Sequence, residues 1–441
     1  MSDQLPLGHR ESSEPALPVD PQLPVDQQAA LPEPPPSRFA GVLPSILGGG
    51  VVMSVLAVVV ALIVGAVLIA VTDQKVQVAA GYFMARPTDT LGAIWASISG
   101  GYLALFQGGV YNYLDPTFAG GIAPLLNSIG FATPLIAAGL GIALGFRAGM
   151  FNIGGQGQML IGGAFGGLVG FALPLPAGIH MVVAVLAALV GGAVWGGIVG
   201  VLKARTGANE VIVTIMLNYI AFYLIDYLLH TPVLQKAGSS DPKTPAELPT
   251  AIFPPLFGPQ YSLNLGFILV IVATIITWWI LGRSSLGFKF RAVGLNPKAA
   301  AVGGINVKRM YIYVMAISGA LVGFAGVYQV LGQTTTGFTN AFDAGIGFNA
   351  ITVALLGRSR PWGVFGAGIL FGIFQSGGYT MQAAQGIDID IVTVIQSIVV
   401  LFIAAPPLVR AIFRLPTPGA RRASRKPPAA SRSNAKEALA K

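Results

Sequence analysis

Between Phe39 and Val71 the chain carries no charged residue. A helix needs about 20 apolar residues to cross the hydrocarbon of a bilayer, so this stretch is ample for one crossing. Further apolar runs follow at about 122–146, 150–172, 178–202, 209–230, 264–282, 311–331, 345–357, 361–380 and 389–409. Charged residues make up 10% of the chain and hydrophobic residues 54%, whereas a soluble domain is about 25% charged. A water-facing surface cannot be built from so few charges. The 58 glycines fit the same solvent. In a soluble helix each costs about 1 kcal/mol against Ala, but in a membrane bundle small residues let helix backbones approach closely. The pattern predicts an all-α membrane protein of about ten transmembrane helices, spanning residues 39–410.

The two ends differ in chemistry. Residues 1–38 hold six acids and two bases, with Leu-Pro-Val-Asp twice and Pro34-Pro35-Pro36. Such a segment lacks material for a core and is expected to be disordered. It is not expected to be a secretory signal, because its start is acidic and its apolar run arrives late. Residues 411–441 form a basic tail, which beside a membrane span reads as an anchor on anionic lipid rather than as a nucleic-acid contact. With the N-terminus inside and the spans alternating, 22 of the 26 Lys and Arg fall on the inner side. That bias places both termini in the cytoplasm.

Composition excludes several chemistries. There is no Cys, so disulfides and thiolate metal sites are ruled out. His9, His180 and His230 read as solvated or interfacial residues, and no metal site or catalytic constellation is expected. No phosphate-binding loop of the Gly-x-x-x-x-Gly-Lys type occurs, so the chain does not bind ATP in that manner and needs no cofactor of its own.

Some spans are expected to break. Residues 345–357 are too few to cross before Arg358, and residues 139–163 are rich in Gly and enclose Arg147. Interrupted helices in corresponding places of two pseudo-repeated halves point to a solute pathway. Residues 73–120, punctuated by Lys75, Arg86, Asp89 and Asp115, read as an external segment with a short interfacial helix.

Three runs are candidates for function. Phe151-Asn152-Ile153-Gly154-Gly155-Gln156-Gly157-Gln158 sets three amides among glycines. Amides donate and accept, which suits a neutral polar solute, and they equally join helices. Asn209 and Glu210 open the next span. Glu210 either sits within hydrocarbon with a partner or lies in the first turn, favoured by the dipole, with Asn209 as cap. Asn218, two turns on, and Phe348-Asn349 before the short span are further pathway candidates. In the basic loop 283–309, Asn296 caps a short helix, Pro297 occupies its first position and Gly303-Gly304 ends it. Its small residues argue for docking a partner rather than lying on lipid.

At these residues the chain resembles the permease subunits of bacterial ABC importers for nucleosides, within the wider group serving simple sugars and branched-chain amino acids. The resemblance rests on Phe151–Gln158, on Asn209-Glu210-Val211-Ile212 with Met216-Leu217-Asn218-Tyr219, on Arg291-Ala292-Val293-Gly294 with Asn296-Pro297 and Ala299-Ala300, and on Val353-Ala354-Leu355-Leu356-Gly357-Arg358. It covers about residues 120–410. It implies a multi-pass protein of the bacterial cytoplasmic membrane that imports its solute by alternating access and catalyses no bond chemistry. The implied partners are a separate ATPase subunit, a second homologous permease and an extracytoplasmic substrate-binding lipoprotein. Pathway residues would be Asn152, Gly154, Gly155, Gln156, Gln158, Asn209, Glu210, Asn218, Phe348 and Asn349. The ATPase would dock near 296–304, on Arg291, Gly294, Asn296, Pro297, Ala299, Ala300 and Gly304. Family members often carry Glu where Gln156 stands and Asp where Asn349 stands. The alternatives are a sugar or branched-chain amino acid permease or, from another class, an ion-coupled secondary transporter. The latter usually needs intramembrane acids, and here only Glu210, Asp226 and Asp343 lie near spans.

Overall fold

The computed structural model describes residues 50–405. The acidic and basic tails, and the outermost residues of the first and last spans, lie outside the described residues. All regular structure within them is helical. In chain order the helices are α1 (Gly50–Thr72), α2 (Gln74–Ala80), α3 (Pro87–Gly109), α4 (Phe118–Arg147), α5 (Gly155–Ala172), α6 (Ile179–Thr206), α7 (Glu210–Leu229), α8 (Gly266–Arg283), α9 (Ser285–Leu295), α10 (Pro297–Val302), α11 (Val307–Tyr328), α12 (Ile346–Leu356), α13 (Pro361–Gln385) and α14 (Ile389–Ala404). A π-helical turn, Gln329–Gln333, extends α11.

Five helices are long and apolar enough to cross a membrane alone: α4, α6, α7, α8 and α11 with its π turn. A sixth crossing results if α1 and α2, bent by 69° at Asp73, count as one. The run at 345–357 forms a helix of only 11 residues. At 1.5 Å per residue that is about 16 Å, half a crossing.

The segment 73–120 differs from its sequence expectation. Besides the short α2 it contributes the 23-residue α3, packed into the bundle. Its charges, Arg86 and Asp89, sit at its start, and no charge follows until Asp115. The far end of α3 is buried, so its last carbonyls cannot turn to water. Two hydroxyls serve them instead. Ser376 of α13 donates to Gly108 at 2.7 Å, and Ser128 of α4 donates to Gly109 at 2.7 Å.

Backbone approach sets the core. α6 and α11 run antiparallel, and a Cβ built on Gly319 would run into the carbonyl of Gly192. A proline makes the second link. Pro134 lies inside α4 and has no N–H to give Gly130. The buried Tyr328 hydroxyl, at the end of α11, donates to that carbonyl at 3.2 Å, and Gln333 donates to the same hydroxyl at 3.3 Å. Tyr328→Phe leaves the Gly130 carbonyl unpaired and should cost about 1–3 kcal/mol. A lower thermal midpoint in detergent will report it, and Pro134→Ala, which restores the missing N–H, should recover most of the loss.

The long connection between α7 and α8 is pinned to the bundle by Glu247. Its N–H donates to the carbonyl of Thr335 at 2.9 Å. Its carboxyl, 4% exposed, lies against Gly167 and Gly170 of α5 with neither oxygen hydrogen-bonded. Burial pushes its pKa from 4.5 up to about 9. The folded chain therefore keeps a proton that the unfolded chain releases, and stability falls as pH rises between about 4.5 and about 9. Glu247→Gln should remove that slope, raising the thermal midpoint at pH 9 while leaving it unchanged at pH 4.

Candidate functional site

The chain does not leave the bundle where α4 ends. Residues 148–154 double back along α4, so that Asn152 lies against Gly145 and Gly155 against Ile142. Helix α5 thus begins inside the bundle. Buried non-helical backbone must find hydrogen-bond partners, and two asparagines supply them. Asn152 accepts from the N–H of Gly154 at 3.0 Å. Its amide nitrogen donates to Gln158 at 2.9 Å and to Ser318 at 2.8 Å, and Gln158 donates back at 3.1 Å. Ser318 in turn donates to the Gly141 carbonyl at 2.6 Å. From α7, Asn218 donates to the Ile153 carbonyl at 3.0 Å and accepts from the N–H of Gly157 at 2.8 Å.

Helix α12 also starts inside, after the non-helical residues 334–345. Its first turn meets that of α5 backbone to backbone. A Cβ on Gly347 would run into the backbone nitrogen of Gln156, and one on Gly155 into the carbonyl of Gly347. Gly345, with φ 75°, makes the turn into α12. Two helix N-termini, each with a partial positive charge, therefore converge at one place. Asp343 is buried beside them, its backbone carbonyl accepting from the N–H of Ile346 at 2.8 Å and its carboxylate Oδ2 without a hydrogen-bond partner.

A cavity of about 260 Å³ opens next to this junction. Gln156 and Asn218 supply its polar lining, and Tyr219, Phe222, Tyr223 and Phe348 its aromatic walls. On the other side of the α12 start, a cavity of about 130 Å³ is lined by Gln329, Gln333, Gln375 and Tyr379. The π turn sets the first two of these glutamines.

The candidates from sequence thus part company. Gln156, Asn218 and Phe348 share the larger cavity, and Gly154 and Gly155 permit the close approach behind it. Asn152 and Gln158 are buried and bonded to each other, away from that lining. Asn349 is half-buried on α12 and outside it. Asn209 caps α7, accepting from the N–H of Val211 at 3.0 Å. Glu210 pairs with Lys203 in the first turn, and Lys203 lies 6.0 Å from the ring of Tyr311. Sequence reasoning did not assign Tyr219, Phe222, Tyr223 or Asp343 to the pathway, although Tyr219 stands in a motif that carries the resemblance and Asp343 lies near a span. The first three stand one, four and five residues beyond Asn218, with Phe222 and Tyr223 about one turn after Tyr219, a helical spacing that marks a shared face.

The end of the bundle near Arg147 carries α9 and α10. Asn296 caps α10 by accepting from the N–H of Ala299 at 3.1 Å, with Pro297 at the first position and Gly303 at the end, as its sequence requires. Gly294 packs on the Arg147 carbonyl and Gly304 has φ 80°. Ala300 faces inward, so Ala299 and Val302 of α10 are exposed together with Leu295 at the end of α9; Leu295 and Val302 are 88% and 92% exposed. Two bare aliphatic side chains flank the helix. Arg291 points elsewhere, into a second large cavity.

Residues 125–404 match the family described as branched-chain amino acid transport system / permease component. The chain is 36% identical over 319 residues to the guanosine ABC transporter permease protein NupP of Bacillus subtilis, covering 71% of this chain and 88% of that protein. It is 35% identical over 280 residues to the nucleoside ABC transporter permease protein NupB of Lactococcus lactis, covering 62% and 76%. It is 34% identical over 281 residues to the glucose ABC transporter permease protein TsgB13 of Haloferax volcanii, covering 62% and 73%. No solved structure matches. With helices fit to cross a bilayer, two that start within the bundle and a match across most of its length, the chain belongs to the family of ABC transport-system permease components, multi-pass membrane subunits that transport rather than catalyse.

Proposed function

We propose that the chain is the permease of an ATP-driven importer for nucleosides, working by alternating access. The observation that carries this reading is the cavity beside the meeting of α5 and α12. A nucleobase offers a flat π face and an edge of donors and acceptors. Tyr219, Phe222, Tyr223 and Phe348 suit the face, and the amides of Gln156 and Asn218 suit the edge. The permeases of Bacillus and Lactococcus similar to this chain are named for guanosine and nucleosides, which supports the choice. A sugar is the second reading, favoured by the glucose permease of Haloferax.

In this reading the half-helix α12 and the displaced start of α5 are broken spans beside the pathway, within about ten crossings in two related halves. The end bearing α9 and α10 faces the cytoplasm, by the inner bias of Lys and Arg. The cavity is open on the face of α7 that exposes Met216, Tyr219, Tyr223 and Tyr227. Tyrosine hydroxyls are poor company for lipid tails, so a second permease closes the site there. An ATPase subunit docks over α10, and a binding protein delivers solute at the opposite end.

Stacking of a base on one aromatic ring contributes about 1–3 kcal/mol, so Phe222→Ala should raise the half-saturating nucleoside concentration about tenfold. Competition among uridine, adenosine, ribose and leucine in cells will read both affinity and class. Unchanged nucleoside uptake in Phe222→Ala and in Tyr219→Ala would remove the cavity from the pathway. For docking, Leu295→Asp with Val302→Asp should abolish transport-coupled ATP hydrolysis in the assembled transporter while membrane insertion stays normal. Ala300 makes a poor probe, since it is buried against Val293 and Met310.

A further inference from the structure

At the end of the bundle that carries α9 and α10, a cavity of about 600 Å³ opens between α4, α8, α9 and α13. Three guanidinium groups from three separate elements line it: Arg147, Arg291 and Arg360. Its remaining wall is apolar, with Trp278 and Leu281 from α8 and Trp362 from α13. The arginines are held there by local structure. Arg147 donates through Nε to the Ser359 carbonyl at 2.9 Å. Arg358 and Ser359 both adopt positive φ, 52° and 50°, and this tight turn brings Arg360 and the first turn of α13 to the cavity.

Among the described residues no carboxylate pairs with these charges. Among the described residues the carboxylate–cation pairs within 4.0 Å are Arg86–Asp89 and Lys203–Glu210, neither of which reaches this place. The 25-residue α13 begins here without a side-chain cap, so the positive end of its dipole joins the three arginines. Like charges gathered in a partly apolar space repel strongly. An anion relieves that repulsion, and arginine forks match the oxygens of a phosphate.

The shape of the wall indicates where the phosphate comes from. A free phosphate has no use for an apolar side. Trp278 and Trp362 remain 42% and 49% exposed, and α8 continues from Trp278 as a bare apolar face through Ile275, Val272 and Ile268. Tryptophans favour the headgroup level of a bilayer, and the cytoplasmic leaflet carries the anionic lipids. We propose that this cavity binds the phosphate headgroup of an anionic phospholipid, whose acyl chains run along α8. Only the choice of leaflet rests on the orientation proposed above. The site gives Arg291 a task other than contacting the ATPase.

The test uses the full chain in nanodiscs of mixed phosphatidylglycerol and phosphatidylcholine, released into a native mass spectrometer. The wild type should retain one phosphatidylglycerol in preference to phosphatidylcholine. At about a fivefold loss per basic residue near the surface, Arg291→Gln with Arg360→Gln should weaken retention about thirty-fold. Arg309→Gln, an exposed arginine at the same end, should leave it unchanged. Phosphatidylglycerol brominated in its acyl chains should quench tryptophan emission more than the phosphatidylcholine analogue, and the excess should vanish in Trp278→Phe with Trp362→Phe. Equal retention of both lipids by the wild type would overturn the proposal. So would displacement of the lipid by soluble glycerol phosphate, which would mark a site for free phosphate. A chain that retains phosphatidylglycerol only after residues 1–38 are removed would show that the acidic N-terminal segment occupies the cavity instead.

Discussion

Where α5 and α12 begin, two backbones touch with no side chain between them, because Gly155 and Gly347 face each other. Much else depends on this contact. A helix that starts inside a bundle leaves N–H groups and a run of irregular chain away from water. In hydrocarbon such backbone survives only where it is buried in protein or borders a cavity. Both conditions are met here. Of the irregular residues 148–154, Ala148, Met150, Asn152 and Gly154 are buried, the segment is served by Asn152 and Asn218, and the helix starts border the cavity lined by Gln156 and Phe348. A side chain at either glycine would separate the two helices and open that wall.

Amides in this chain therefore divide by how completely they are satisfied. Asn152 and Gln158 use their donors and acceptors on each other, on Ser318 and on backbone, so they have little left to offer a solute. Asn218 is partly engaged, and Gln156 keeps a face toward the cavity.

Much of this architecture was legible in the sequence because burial in lipid writes long uncharged runs. Nine helices, α4 to α8 and α11 to α14, begin and end within about five residues of those runs, and Asn296-Pro297 marks α10 to the residue. Helix α3 escaped because Gly, Ser and Ala keep its hydropathy modest while its stability comes from contacts with α13 that no local pattern records. The site was half legible. Amides among glycines stand out, so Gln156 and Asn218 were found. Which amides face solute and which face each other depends on where α5 starts relative to α4, a tertiary fact. The aromatic wall on α7 was visible as a spacing but indistinguishable from a lipid-facing stripe. The arginine cavity could not be seen at all, since Arg147, Arg291 and Arg360 are far apart in the chain and single loop arginines read only as topology.

The connection from the π turn to α12 is held by the long segment that follows α7. Residues 334–345 are not helical, yet much of their backbone is paired. Thr335 accepts from Glu247, Phe338 exchanges hydrogen bonds with Thr244, and Asn340 donates to Asp226 at the end of α7. The long segment after α7 and this connection thus form one layer, fastened at several points. The last residues of that connection, Asp343 to Gly345, set the position of the α12 start and so of Phe348. A shift of the layer cannot be absorbed by side chains at the junction, because the contact there is glycine on glycine. That rigidity follows from the same backbone contact that allowed the helices to break.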